Sequence, residues 1–216
     1  MPSSETILAG LANDYRWLAV AVHVYIGALV VLAAAGRLRS KKIAAILIAL
    51  PLLSVSILAW LSGNPFNGAL FAVFAVALLA LAIRLPAGDI QFAPAPVAMA
   101  GFALLFFGWI YPHFLENANF ISYLYSAPTG IIPCPTLSVV IGLTLIAGSF
   151  QSRPWGFVAA GAGLFYGLFG ALRLGVSLDW FLAAGAAGLL GYVMAKGSTA
   201  FKSASSRSNS ASRSTE

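Results

Sequence analysis

The sequence predicts an all-α, polytopic transmembrane helical bundle of about seven spans, and three observations carry that reading. Of 216 residues, 60% are hydrophobic and only 8% charged, with a mean hydropathy of +0.91, which leaves too little polar side chain to coat a water-soluble globule. The apolar residues fall into runs of the length a helix needs to cross roughly 30 Å of hydrocarbon. The cations gather in alternate connections between those runs. Because the runs are continuous rather than alternating, they favour helices over a β-barrel.

The runs cover approximately 17–36, 43–61, 69–85, 96–114, 135–151, 156–173 and 178–195. Several are rich in Gly and Ala and close to the short limit, so six or seven spans fit the lengths, and seven fits the charges better. Residues 1–196 then form the transmembrane domain. The first run is no signal peptide: Glu5 and Asp14 stand against Arg16 ahead of it, so there is no basic leader segment, and the run is too long.

Arg37, Arg39, Lys41 and Lys42 in the first connection assign it to the cytoplasm. With seven spans, Arg84, Arg153 and the tail cations Lys196, Lys202, Arg207 and Arg213 fall on the same side, ten of the twelve Lys and Arg residues in all. Arg16 and Arg173 remain at outer span ends, from which long side chains reach water. The expected orientation is N-terminus outside and C-terminus cytoplasmic. The net charge of +6 is therefore topology signal plus tail, and calls for the lipid bilayer rather than nucleic acid as partner. Residues 197–216 are Ser-rich and basic with Phe201 as the one large apolar group, the composition of a disordered tail.

The polar groups of the outer side concentrate between Tyr111 and Pro133. Pro133 and Pro135 bracket the lone Cys134. With Pro135 as first helical residue and Cys134 as cap, the amides of Thr136, Leu137 and Ser138 and the helix dipole favour a thiolate, a ligand for soft or borderline metal ions. A small buried cap is the plainer alternative. If the fourth helix continues past Pro112, His113 and Glu116 share one face at i and i+3. A loop folding back would then add Cys134 to a Cys, His, Glu set, three of the four ligands of a tetrahedral metal site. The alternative is a wet interfacial segment beside an aromatic belt of Trp109, Tyr111, Tyr123 and Tyr125.

His23 lies a third of the way into the first span, where an ionisable group is costly and faces a protein interior or cavity. It either lines a path to the outside or hydrogen-bonds a neighbouring helix. Between the last two spans, Ser177 and Asp179 suit the start of a helix, and an Arg173 to Asp179 pair would form a structural contact or a gate. Gly163, Gly167 and Gly170, with Ala184/Gly188 and Ala187/Gly191, form rows of small residues that let helices approach closely.

Tyr111-Pro112 at a span end, a variable loop, then Gly130-x-x-Pro133-Cys134-Pro135-Thr136 opening the next span resembles an uncharacterised bacterial multi-pass membrane protein family, a domain of unknown function. The stretch "LGVSLDW", residues 174–180, resembles that family's pattern around an Asp, here Asp179. The similarity covers roughly the second half of the chain. It implies a bacterial inner-membrane location and no established activity. The sequence carries no nucleotide loop, zinc motif or paired carboxylates, which disfavours an enzyme. Two classes of function remain. One is a transport component for a small solute or metal ion, with its site near the start of the fifth span. The other is a non-transporting module, acting as a homo-oligomer or in a partner complex, that handles metal or redox chemistry at Cys134.

Overall fold

The computed structural model describes the backbone of residues 4–116 and 119–213 and the side chains of residues 6–116 and 119–196. The tail expected over 197–216 lies outside the residues whose side chains are described. Among the described residues the regular secondary structure is all helix, apart from a single antiparallel bridge between Ser40 and Asp89. The elements are α1 (Ser4–Asp14), α2 (Arg16–Ala34), α3 (Lys41–Leu61), α4 (Pro65–Arg84), α5 (Ala95–Ile110), α6 (Phe120–Ser126), α7 (Pro133–Ile146), α8 (Arg153–Arg173) and α9 (Asp179–Arg213). Four of them, α2, α3, α4 and α8, are long and apolar enough to cross a membrane. The apolar helices α5 and α7 are shorter, at 16 and 14 residues. By length and composition these helices suit a membrane-embedded helical bundle.

Local chemistry sets the helix starts. Ser40, Asn64 and Ser152 accept hydrogen bonds from the first-turn amides of Ile43, Asn67 and Trp155, and Pro65 and Pro154 sit in first turns, where a missing N–H costs nothing. Pro51 lies inside α3. Its ring removes the amide that would pair with the carbonyl four residues back, Leu47. The hydroxyl of Tyr25 on α2 donates to that carbonyl at 2.7 Å, so the defect in one helix becomes a tie to another.

At the centre stands α7, buried on every side except at Leu143. It packs lengthwise on α5 and also meets α3, α8 and α9. The close approach of α5 depends on residues without side chains: a Cβ on Gly142 would lie 2.6 Å from the Leu105 amide nitrogen, and one on Gly108 would lie 2.7 Å from the Pro135 carbonyl. Gly163 and Gly167 serve the same purpose between α8 and α9, against Ala186 and Ala183. The rows Ala184/Gly188 and Ala187/Gly191 turn outward: Ala184, Ala187, Gly188 and Gly191 are exposed, and nothing approaches a Cβ placed on Gly188 or Gly191.

Two short helices interrupt the connections. The Tyr111–Pro133 segment contains α6, and the chain ahead of the first long helix forms α1, whose Leu8, Leu11 and Ala12 are buried with Leu58, Leu115, Ile131 and Ile132. Between α7 and α8 the backbone makes a left-handed turn, with φ near +55° at Gly148, Ser149, Phe150 and Gln151. Such angles are unfavourable for residues with a Cβ. They are held by the fully buried ring of Phe150, which packs edge-on against Trp155 at 5.1 Å, while the Trp155 indole donates to Thr144 Oγ1 at 3.1 Å.

Candidate functional site

The segment leading into α7 is built around Gly130. Its φ of +80° suits glycine, and a Cβ there would meet Val22 of α2 at 2.6 Å. The Gly130 amide donates to Thr136 Oγ1 at 2.8 Å, Thr136 in turn donates to the Ile132 carbonyl at 2.7 Å, and Ser54 of α3 donates to the Gly130 carbonyl at 2.6 Å. The Gly-x-x-Pro-Cys-Pro-Thr stretch is thus a stapled turn. Ile132, extended ahead of a proline, is the cap. Cys134 is therefore not the cap expected from the sequence: Pro133 is the first helical residue, and Cys134 lies inside the first turn.

That shift aims the thiol sideways. Cys134 is buried, and its Sγ donates to Asp179 Oδ2 at 3.1 Å. The other oxygen, Asp179 Oδ1, accepts from Tyr111 Oη at 2.7 Å. Asp179 is 2% exposed and Tyr111 wholly buried. A Cβ on Gly170 of α8 would overlap Asp179 Oδ2, so the carboxylate fills space that only glycine leaves open. One carboxylate from the start of α9, one thiol from the first turn of α7 and one phenol from just past the end of α5 meet in the interior at one end of the bundle. Beside them, Tyr166 of α8 donates to Asn67 Oδ1 of α4 at 3.0 Å. The cluster borders a cavity of about 30 Å³ lined by Asn67, Cys134, Tyr166 and Asp179 among apolar neighbours. Leu8 of α1 and Phe114 also line it, and Asn13 of α1 ties their segments together by donating to the Phe114 carbonyl at 3.0 Å and accepting from the Glu116 amide at 3.1 Å.

Other expected site residues are placed differently. The helix that was to carry His113 and Glu116 stops at Ile110, because Pro112 drives Tyr111 out of helical geometry, with ψ at 99°. Glu116 is exposed, and no three His, Cys, Asp or Glu side chains converge into a metal-holding group among the described residues. His113 stands near enough to Asp179 to act on it electrostatically, its ring against Phe114 at 4.1 Å. The Arg173 to Asp179 pair does not form: Asp179 points inward to Tyr111 and Cys134, while Arg173 is exposed. Asp179 does stand in the first turn of α9, as expected, but its carboxylate turns to Tyr111 and Cys134, while the first amides of α9 bond to the carbonyls of Val176, Ser177 and Leu178.

His23 is buried, with Nδ1 2.8 Å from the Ala19 carbonyl and Nε2 2.8 Å from the Trp109 carbonyl. Its ring meets that of Trp109 edge-on at 4.8 Å. It joins α2 to α5 and is not among the residues lining the cavity beside Cys134. Arg16 donates to Ser126 Oγ at 3.0 Å and lies over the Tyr125 ring at 5.9 Å, fastening α6 to α2. Of the expected aromatic belt, Tyr111 belongs instead to the buried cluster.

Tyr111, Tyr166 and Asn67 were not read as site residues from the sequence. Tyr111 had a signal, its place in the Tyr-Pro pair that carries the family resemblance. Comparison of the chain with protein-family models, curated proteins and solved structures gives no match.

Proposed function

We propose that the chain is a seven-span protein of a bacterial inner membrane, spanning through α2, α3, α4, α5, α7, α8 and α9, that binds a divalent soft or borderline metal cation at Cys134 and Asp179 and acts as a transport component for it. The observation that carries this reading is the 3.1 Å approach of a thiol to a carboxylate inside the bundle. Bare anionic charge is expensive in a low-dielectric interior. A thiolate and a carboxylate together carry the charge that neutralises a divalent ion, so the loaded site is neutral and the thiol proton leaves as the metal enters.

Size separates ion from solute. About 30 Å³ accommodates a water or an unhydrated ion, whereas sites for organic ligands run to roughly 300 Å³ or more. Sulfur makes the site selective for soft and borderline ions over magnesium or calcium. Oxygen from the Tyr111 phenol and the Asn67 amide is at hand to complete the shell. The wall formed by α1 and Phe114 is the entry on the side expected to face outward.

The test is titration of the purified chain in detergent with Cd²⁺, followed by the ultraviolet thiolate-to-metal charge-transfer band and by proton release. The wild type develops the band and releases one proton per ion, Cys134→Ser abolishes the band, and Asp179→Asn weakens binding at least about tenfold, as expected for a lost charged ligand. A wild-type chain without the band sinks the assignment. Flux of the same ion into proteoliposomes then distinguishes a transport component from a module that binds without transporting.

A further inference from the structure

We propose that the opposite end of the bundle carries a second site, which binds a phosphate group between Arg153 and Lys196. Measured along α7, this site lies about 20 Å from Cys134 at 1.5 Å per residue. A cavity of about 370 Å³ opens there, lined by Ser149, Gln151, Ser152, Arg153, Tyr192 and Lys196 together with Gly148 and Val193. Two of these side chains are cationic and none is acidic. The left-handed turn at 148–151 shapes the floor, held in place by Gln151 Nε2, which donates to the Gln91 carbonyl at 3.2 Å.

Three features point to an anion. Arg153 lines the cavity; its guanidinium stands over the Phe157 ring at 5.7 Å and makes no hydrogen bond or ion pair among the described residues, so its fork of donors is unused there. The Lys196 ammonium is positioned over the Tyr192 ring at 4.8 Å, which preorganises a second positive charge on the other wall. Between them the Tyr192 hydroxyl is buried beside Gly148 with no hydrogen-bond partner among the described residues, a donor placed for an acceptor that the chain itself does not supply. The helix end adds little, because Pro154 has no amide hydrogen and that of Trp155 is taken by Ser152 Oγ. Side chains therefore carry the recognition, and two cations with a hydroxyl suit a tetrahedral phosphate, either on an anionic lipid headgroup or free in solution.

The experiment is native mass spectrometry of the full chain in detergent, incubated with phosphatidylglycerol, phosphatidylcholine or inorganic phosphate. The wild type retains phosphatidylglycerol over phosphatidylcholine. The Arg153→Gln/Lys196→Gln double variant loses that retention by at least about tenfold, two surface cations each contributing to attraction for an anionic headgroup. Arg153→Lys/Lys196→Arg keeps it, which separates charge from misfolding. Arg37→Gln/Arg39→Gln at the same end also keeps it, which separates a site from general surface charge. Competition by inorganic phosphate assigns the site to free phosphate as well as lipid; absence of competition assigns it to the headgroup. Undiminished retention in R153Q/K196Q, an equal loss in R37Q/R39Q, or binding of neither anion by the wild type overturns the proposal.

Discussion

At the scale of single residues, Asp179 is the most demanding group in the molecule, because it is buried and acceptor-only while its neighbours are a phenol and a thiol. Tyr111→Phe removes one donor and leaves the ring in place. Interhelical hydrogen bonds in membrane proteins average under 1 kcal/mol and reach about 1.7, and a charged acceptor belongs at the upper end. The expected cost is therefore about 1–2 kcal/mol, read as a lower unfolding midpoint in micelles. An unchanged midpoint would mean that Tyr111 and Asp179 do not bond. Gly170→Ala acts by volume: the new methyl occupies the place of Asp179 Oδ2, so the carboxylate must swing away from Cys134, and the thiol should react several-fold faster with a small maleimide. At this scale the sequence was legible in chemistry and not in partners. Cys134 and Asp179 were both recognisable as candidates. Their contact spans 45 residues, and no local spacing encodes it. The i, i+3 reading of His113 and Glu116 failed because one proline outweighed the periodicity.

At the scale of elements, what holds the helices together is polar repair and close approach. Tyr25→Phe is the cleanest test of the repair at Pro51, since it deletes the hydroxyl that satisfies the Leu47 carbonyl and changes little else. About 1 kcal/mol of stability should go, and in a Pro51→Ala background the same substitution should cost less, because the helix then supplies its own amide. Equal costs in both backgrounds would show that the tie does not depend on the proline. Close approach is tested at Gly142, where any side chain meets the backbone of α5. Overpacking costs about 1–3 kcal/mol or more, so Gly142→Ala should lower the yield of monodisperse protein and Gly142→Leu should abolish it. The four helices long and apolar enough to cross a membrane, α2, α3, α4 and α8, were legible from hydropathy alone, and their observed bounds follow the apolar runs closely; α9 continues to Arg213, past the run that ends at 195. The short α1 and α6 were not: one is amphipathic and owes its place to tertiary burial, and the other lies inside a polar connection, held by the Asn119 cap and by hydrogen bonds from Arg16 and Trp109. The left-handed turn after α7 was hidden for a related reason, since Ser149, Phe150 and Gln151 have no local preference for it and it is fixed by distant contacts, the packing of Phe150 on Trp155 and the Gln151 to Gln91 hydrogen bond.

At the scale of the whole molecule, the proposed orientation and the two sites form one argument. Helices that run up and down in sequence bring the ends of α2, α4 and α7 and the starts of α3, α5 and α8 to one end of the bundle, and with them Arg37, Arg39, Lys41, Lys42, Arg84 and Arg153. Cation-rich connections are retained on the cytoplasmic side during insertion. The Cys134 cluster, at the start of α7, then lies toward the outer side, and the phosphate site lies toward the leaflet in which anionic headgroups attract basic residues. Cysteines placed singly in a Cys134→Ser background test this directly. Ser3→Cys should react in intact cells with a membrane-impermeant maleimide, and Ser205→Cys only after the cells are opened. The reverse pattern would turn the molecule over and put the entry to Cys134 on the cytoplasmic side.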